Sequence, residues 1–191
     1  MIGKKAEKTE RIERVEKAVL VINGVGGVGK DTLCELAAKH FRVKNVSSIT
    51  PIKEIASMCG WDGAKDSKGR KFLSDLKLLC VEYNDYPTVW LTERYREFLE
   101  GEDEIMFVHI REPEEIGKFV RATGGVAKTL LIRGGTRFPK ESLHYGNISD
   151  DGVENYRYDY YFTNDTTLEE AESGFVKLLS VILNSDHPAK I

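Results

Sequence analysis

Residues 18–32 constrain this chain more than any other stretch. The five apolar residues Ala18-Val19-Leu20-Val21-Ile22 run through Asn23 into Gly24-Val25-Gly26-Gly27-Val28-Gly29-Lys30. A helical pattern follows, with Leu33, Leu36, Ala37 and Phe41 at spacings of three and four. A continuous β-rich run without polar alternation predicts a strand buried on both faces, which requires a parallel sheet covered by helices. The glycine segment satisfies the first part of the pattern G-x-x-x-x-G-K-[ST], in which backbone amides cradle phosphates and the lysine reaches the β and γ oxygens. Glycines let the backbone curl around a multiply charged oxyanion without Cβ clashes, and the following helix presents its unpaired N–H groups and positive dipole end. The bare pattern is only moderately specific. Its position between a strand and a helix is what the mechanism needs.

The last position of the pattern departs from type: Asp31 stands where Ser or Thr is usual, and Thr32 follows. The usual hydroxyl touches Mg²⁺, and a carboxylate can do so directly or through water. The alternative is that Asp31 only caps the helix and complements its dipole. The candidate nucleotide-binding residues are thus Gly24, Gly26, Gly27, Val28, Gly29, Lys30, Asp31 and Thr32, with Asp31 the candidate Mg²⁺ ligand.

Strand and helix patterns alternate along the rest of the chain. A second β-rich segment covers 43–49, and Pro51 fits the first turn of a helix reaching about residue 59, broken by Trp61-Asp62-Gly63. Phe72, Leu73, Leu76, Leu79, Cys80 and Tyr83 recur at three and four, predicting an amphipathic helix from residue 70 that stops before Pro87. Further helices are expected over 88–99 and 114–122, strands over 105–110, 126–132 and 158–163, and a closing amphipathic helix from Leu168 to Ile182. Residues 134–155, with glycines, charges and few aliphatics, form a loop longer than ordinary connections, which points to function.

The 191 residues bound the chain to about one domain. Residues 1–17 carry ten charges of mixed sign and read as a charged N-terminal arm, leaving 18–191 as the folded domain. With 28 basic and 31 acidic residues the net charge of −3 excludes a dedicated nucleic-acid binder. No window reaches the run of about 18 apolar residues that a membrane helix needs, and the first residues lack the apolar stretch of a signal peptide, so a cytoplasmic location is expected. Cys34, Cys59 and Cys80, odd in number and without a CxxC pair, argue against a disulfide framework or a zinc site and are expected to be reduced core thiols.

The class of phosphate-loop protein follows from what is missing. No N-K-x-D for guanine occurs, and Asp66-Ser67-Lys68-Gly69 fits D-x-x-G without following a strand, which disfavours a switch GTPase. The strand over 105–110 does not end in the metal-binding carboxylate that a motor or transporter ATPase needs. What remains is a small kinase. The G-K-D-T of residues 29–32, the Arg111-Glu112-Pro113-Glu114-Glu115 segment and Asn164-Asp165 resemble the deoxynucleoside monophosphate kinase family, and phosphomevalonate kinase of the animal type is similar in layout. That family has D-x-R-x-x-x-E at the end of its third strand. Arg111 and Glu115 match it, whereas His109 stands where the aspartate would be, and the simpler reading packs His109 against the loop.

The resemblance implies a nucleoside monophosphate kinase-like P-loop fold of three αβα layers with a five-stranded parallel sheet. It also implies an acceptor-binding helical region over about 50–101 and a lid over about 134–155. Within the former, Lys53, Lys65, Lys68, Arg70 and Lys71 form a basic cluster suited to an acceptor phosphate, with Lys53, Lys65 and Arg70 the favoured members. A solvated helix face is the alternative. Arg133, Arg137 and Lys140 flank or lie in the lid, where cations can neutralise a phosphoryl group in transfer. The expected catalytic residues are Lys30, Arg111 and Arg137, with Arg133 on the nucleotide. The expected activity is transfer of the ATP γ-phosphoryl group, with Mg²⁺, to a phosphorylated small molecule, first a nucleoside or deoxynucleoside monophosphate. A non-nucleotide acceptor, or nucleotide binding without transfer, are the alternatives.

Overall fold

The computed structural model describes residues 16–64, 66–135 and 153–185. Five strands, β1 (Ala18–Asn23), β2 (Val43–Ser47), β3 (Ile105–His109), β4 (Lys128–Gly134) and β5 (Tyr160–Asn164), form one sheet in the order β2-β3-β1-β4-β5. Every pairing is parallel. All six residues of β1 are buried, as its unbroken apolar run predicts for the central strand.

Alternate β1 side chains feed two cores, because successive residues of a strand point to opposite faces. Ala18, Leu20 and Ile22 meet α1 (Lys30–Ala37) and the last helix, α6 (Leu168–Ser185), in a core that contains Phe107 and Phe175 stacked at 6.1 Å. Val19 and Val21 face the other layer, where α4 (Tyr86–Glu100) and α5 (Pro113–Ala122) supply Leu91, Phe98, Ile116 and Phe119. Each such side chain, fully buried, contributes about 1.5–3 kcal/mol. The three-layer α/β architecture is therefore the expected one.

Between β2 and β3 lie α2 (Thr50–Met58), α3 (Ser67–Asn84) and α4. Helix α3 starts three residues before the predicted point because Asp66 caps it, its carboxylate accepting from the Gly69 amide at 2.7 Å. Its apolar stripe is not core: Gly69 is the one buried residue of α3, while Phe72, Leu79 and Tyr83 are exposed. Strand β4 begins two residues later than predicted. Gly124 and Gly125 adopt positive φ in the preceding turn, Val126 is exposed, and the Asp159 carboxylate accepts from both the amide and the hydroxyl of Thr129 at 2.8 Å.

The expected arm ends in an anchor. Lys17 donates to the carbonyls of Phe98, Gly101 and Asp103 at 2.6, 2.7 and 3.1 Å, placing a cation at the carbonyl end of α4. Residues 1–15 of the arm lie outside the described residues. Of the cysteines, only Cys34 is in the core; Cys59 is exposed and Cys80 half-buried, which corrects the reading of all three as core thiols. No helix among the described residues is long and apolar enough to cross a membrane.

Candidate phosphate-binding site

The carboxyl ends of parallel strands are where an open α/β sheet binds ligands, at the point where neighbouring connections diverge. Here β1 is flanked by β3 and β4, with Ile22 beside His109 and Asn23 beside Leu131. From Asn23 the chain turns into the glycine loop.

The loop uses its glycines for two separate reasons. Gly24, Gly27 and Gly29 adopt φ of 148°, 79° and 88°, values that L side chains resist. Gly24 and Gly29 are also crowded: a Cβ would come within 2.4 Å of the Ile132 carbonyl oxygen and 2.6 Å of Asn164 Nδ2, respectively. Val28 is fully buried beneath the loop, and its carbonyl accepts from Asn164 Nδ2 at 2.9 Å. Lys30 opens α1 and bends back, its ammonium donating to the carbonyls of Gly24 and, at 3.0 Å, Val25. A cation thus spans a ring of backbone shaped by glycine.

Asp31 and Thr32 sit exposed on the first turn of α1. The N-cap residue is Gly29, without a side-chain cap, so Asp31 is not the cap that the alternative reading required, although its charge still complements the dipole. His109 lies at the end of β3 with Nδ1 3.9 Å from Asp31 Oδ1 and Nε2 3.9 Å from Cys34 Sγ. Burial lowers the pKa of His109, with Asp31 opposing the shift, so the ring is neutral around pH 7. The Cys34 thiol is pushed up to about 12, chiefly by burial and then by Asp31, which leaves it inert. His109 thus sits beside α1, at Asp31 and Cys34.

Arg111 is exposed two residues beyond β3. Its carbonyl accepts from Asn23 Nδ2 at 3.0 Å, and Asn23 is 1% exposed. The same amide group donates to the Tyr158 hydroxyl at 2.9 Å, and Asn23 Oδ1 accepts from the Gly24 amide at 2.8 Å. Sequence reasoning missed Asn23 and Tyr158. The available signal was a polar residue at the end of a wholly apolar strand, which needs a partner once buried.

Glu115, which matches the family pattern together with Arg111, binds Lys77 of α3 at 2.9 Å, and Lys77 also meets Glu112 at 2.6 Å. That half-buried cation ties the helical region to α5 immediately after Arg111. Arg133 leaves β4 stacked over Tyr161, 4.6 Å from its ring centroid, with Nη2 2.8 Å from Glu154. Lys53 and Arg70 are exposed on α2 and α3, and neighbouring Lys71 pairs with Asp75 at 2.6 Å. Lys65, Arg137 and Lys140 lie outside the described residues, as does most of the expected lid.

No protein-family model matches the chain and no curated protein matches it in sequence. Solved structures do match. The chain is similar to a tunicamycin resistance protein of Deinococcus radiodurans, with a TM-score of 0.54 at 8% identity over 85% of this chain and 95% of that one. It is similar to a candidate kinase of Chloroflexus aurantiacus, with a TM-score of 0.54 at 12% identity over 91% and 100%. Shikimate kinase of Aquifex aeolicus matches with a TM-score of 0.50 at 13% identity over 89% and 99%. At these identities the likeness is one of fold, a five-stranded parallel sheet between helical layers.

Proposed function

We propose that the chain is an ATP-dependent phosphotransferase whose acceptor is a phosphorylated small molecule, first a nucleoside or deoxynucleoside monophosphate. The observation that carries this reading is the glycine loop, with three glycines at positive φ and the Lys30 ammonium drawn across it, at the carboxyl end of β1. Such a loop has little use except to surround an oxyanion.

The residues present fit ATP and Mg²⁺. Gly24, Gly27 and Gly29 hold the positive φ values that let the loop backbone curl around an oxyanion, and the Asp31 carboxylate, 89% exposed, offers the oxygen that a hard cation prefers. Among the described residues no group of three or more acidic, His or Cys side chains could hold a metal. Mg²⁺ would therefore rest mainly on phosphate oxygens and water, with Asp31 as the protein's contact, and would supply charge neutralisation across the donor phosphates. Lys30 exchanges its two carbonyl contacts for donor oxygens, while the loop amides and the α1 N-terminus hold the remaining charge. Arg111 and Arg133 neutralise charge from the ends of β3 and β4, and Arg137 and Lys140 do so from the lid. Lys53, Lys65 and Arg70 are the proposed acceptor contacts. No general base is required when the acceptor is already a phosphate anion.

A second reading keeps the donor site and gives the chain a non-nucleotide acceptor. The likeness to shikimate kinase, named for such an acceptor, favours it. The test is ADP release from ATP and Mg²⁺ across ribo- and deoxynucleoside monophosphates, shikimate and phosphomevalonate, with Lys30→Ala as the blank. One nucleotide acceptor standing above the blank supports the first reading, and a non-nucleotide one the second. Release equal to the blank with every acceptor, while ATP still raises Tm, leaves a nucleotide-binding protein without transfer. No ATP-dependent rise in Tm removes the phosphate-loop reading itself.

A further inference from the structure

The hydrogen bonds at the end of β1 converge on one side chain. Asn23 is 1% exposed and all its bonding groups are engaged: Oδ1 accepts from the first amide of the glycine loop, and Nδ2 donates to the Arg111 carbonyl and to the Tyr158 hydroxyl. Tyr158 is itself buried and donates onward to the Val153 carbonyl at 3.0 Å. Its ring is fixed edge-on against Tyr156 and Tyr161, at centroid distances of 5.0 and 6.1 Å. The phenol therefore cannot swing away from Asn23 without breaking both ring contacts. An Asn side chain left with a free χ2 has a broad, roughly two-fold torsion, and exchanging its oxygen for its nitrogen would aim a donor at the Gly24 amide. What selects the productive orientation is the pair of acceptors facing Nδ2.

We propose that Tyr158 is a positioning residue that acts through Asn23 to hold the start of the phosphate loop and the Arg111 backbone in their binding geometry. It touches neither nucleotide nor acceptor. Tyr158 accepts from Asn23 while donating to Val153, so its single hydroxyl fixes which face of the amide points to Gly24. The inference rests on the loop binding a nucleotide, as argued above.

The experiment is a double-mutant cycle read by binding of a fluorescent ATP analogue, with Tm recorded for each protein in the absence of nucleotide. Tyr158→Phe keeps the ring and removes the hydroxyl, Asn23→Ala removes the whole device, and Tyr156→Phe removes a neighbouring hydroxyl as a control. Tyr158→Phe is expected to weaken nucleotide binding by about fivefold to tenfold, the size of one net hydrogen bond. Asn23→Ala should weaken it at least as much, and the double variant should match Asn23→Ala alone, because residues acting in one chain are not additive. Tyr156→Phe should leave affinity unchanged. A Tyr158→Phe protein of lower Tm but wild-type affinity overturns the proposal, since the role is then structural only. Losses that multiply in the double variant also overturn it. Should Tyr158→Phe not fold, Asn23→Ala decides: wild-type affinity in that variant overturns the proposal, and weakened affinity upholds the Asn23 link. Wild-type protein that binds no ATP analogue contradicts the phosphate-loop reading instead, which keeps the two failures apart.

Discussion

The side-chain amide of Asn164, the last residue of β5, donates to the carbonyl of Val28 at 2.9 Å and so pins the underside of the glycine loop to the far strand of the sheet. The same Nδ2 would lie 2.6 Å from a Cβ on Gly29, whose φ is +88°. Asn164→Ala leaves a buried carbonyl unbonded and is expected to cost about 1–3 kcal/mol in urea unfolding. Gly29→Ala adds left-handed strain of about 1–2 kcal/mol and pushes Asn164 aside. In both variants the ATP-dependent rise in Tm should shrink. An unchanged rise in Gly29→Ala would mean that the loop does not contact nucleotide in this shape.

Glu115 sets a pH dependence with a definite sign. Burial raises its carboxyl above the ordinary value of 4.5, and Lys77, 2.9 Å away, opposes the shift. The folded chain then binds a proton more tightly at Glu115 than the unfolded chain does, so this group's contribution to stability is present below pH 4.5 and declines as pH rises through the folded value. Glu115→Gln removes that decline, while Lys77 keeps its partner Glu112 at 2.6 Å. Chemical denaturation of both proteins from pH 4 to 8 should show the variant gaining on the wild type as pH rises, by at most about 1.4 kcal/mol per pH unit. A difference that is flat in pH contradicts the raised value.

The strand, glycine loop and helix start of the candidate phosphate-binding site were legible because they are local. Residues 18–32 contain the strand, the loop and the helix start, and each constraint acts over a few positions. The bond between Asn23 and Tyr158 joins residues 135 positions apart, and no periodicity reports a pairing at that separation. Lys77 carries no local signal, because its partners, Glu112 and Glu115, come from another element. Helix α3 misled in the opposite direction. Its stripe of Phe72, Leu76, Leu79 and Tyr83 has helical spacing, and the helix forms, but spacing specifies a face without specifying what covers it.

Arg133 tests the proposed nucleotide contact at β4. Its partner Glu154 is 59% exposed and Arg133 itself 45%, so the pair adds little to stability. Glu154→Gln should change unfolding free energy by less than about 0.5 kcal/mol. If the guanidinium serves the nucleotide, its release should tighten binding of a fluorescent ATP analogue by up to about fivefold, the equivalent of an exposed pair worth ~1 kcal/mol. Equal affinity in the two proteins would detach Arg133 from the nucleotide.

Helices α3 and α4 make a paired comparison, since both carry large apolar residues at helical spacing and only one is anchored in the core. Phe98 of α4 is fully buried in the second core, its ring lies 4.6 Å from the Lys17 ammonium, and its carbonyl accepts from that same group. Phe98→Ala should therefore cost about 3–5 kcal/mol from lost burial and the cavity left behind. Tyr83 and Leu79 of α3 are 87% and 62% exposed, and Tyr83→Ser or Leu79→Ser should fall within about 0.5 kcal/mol of wild type. Urea unfolding at two protein concentrations checks both halves of the comparison. A large, concentration-dependent loss at Tyr83 would mean that a second copy covers the α3 face in solution. A small loss at Phe98 would mean that α4 is not the wall of the core that its contacts describe.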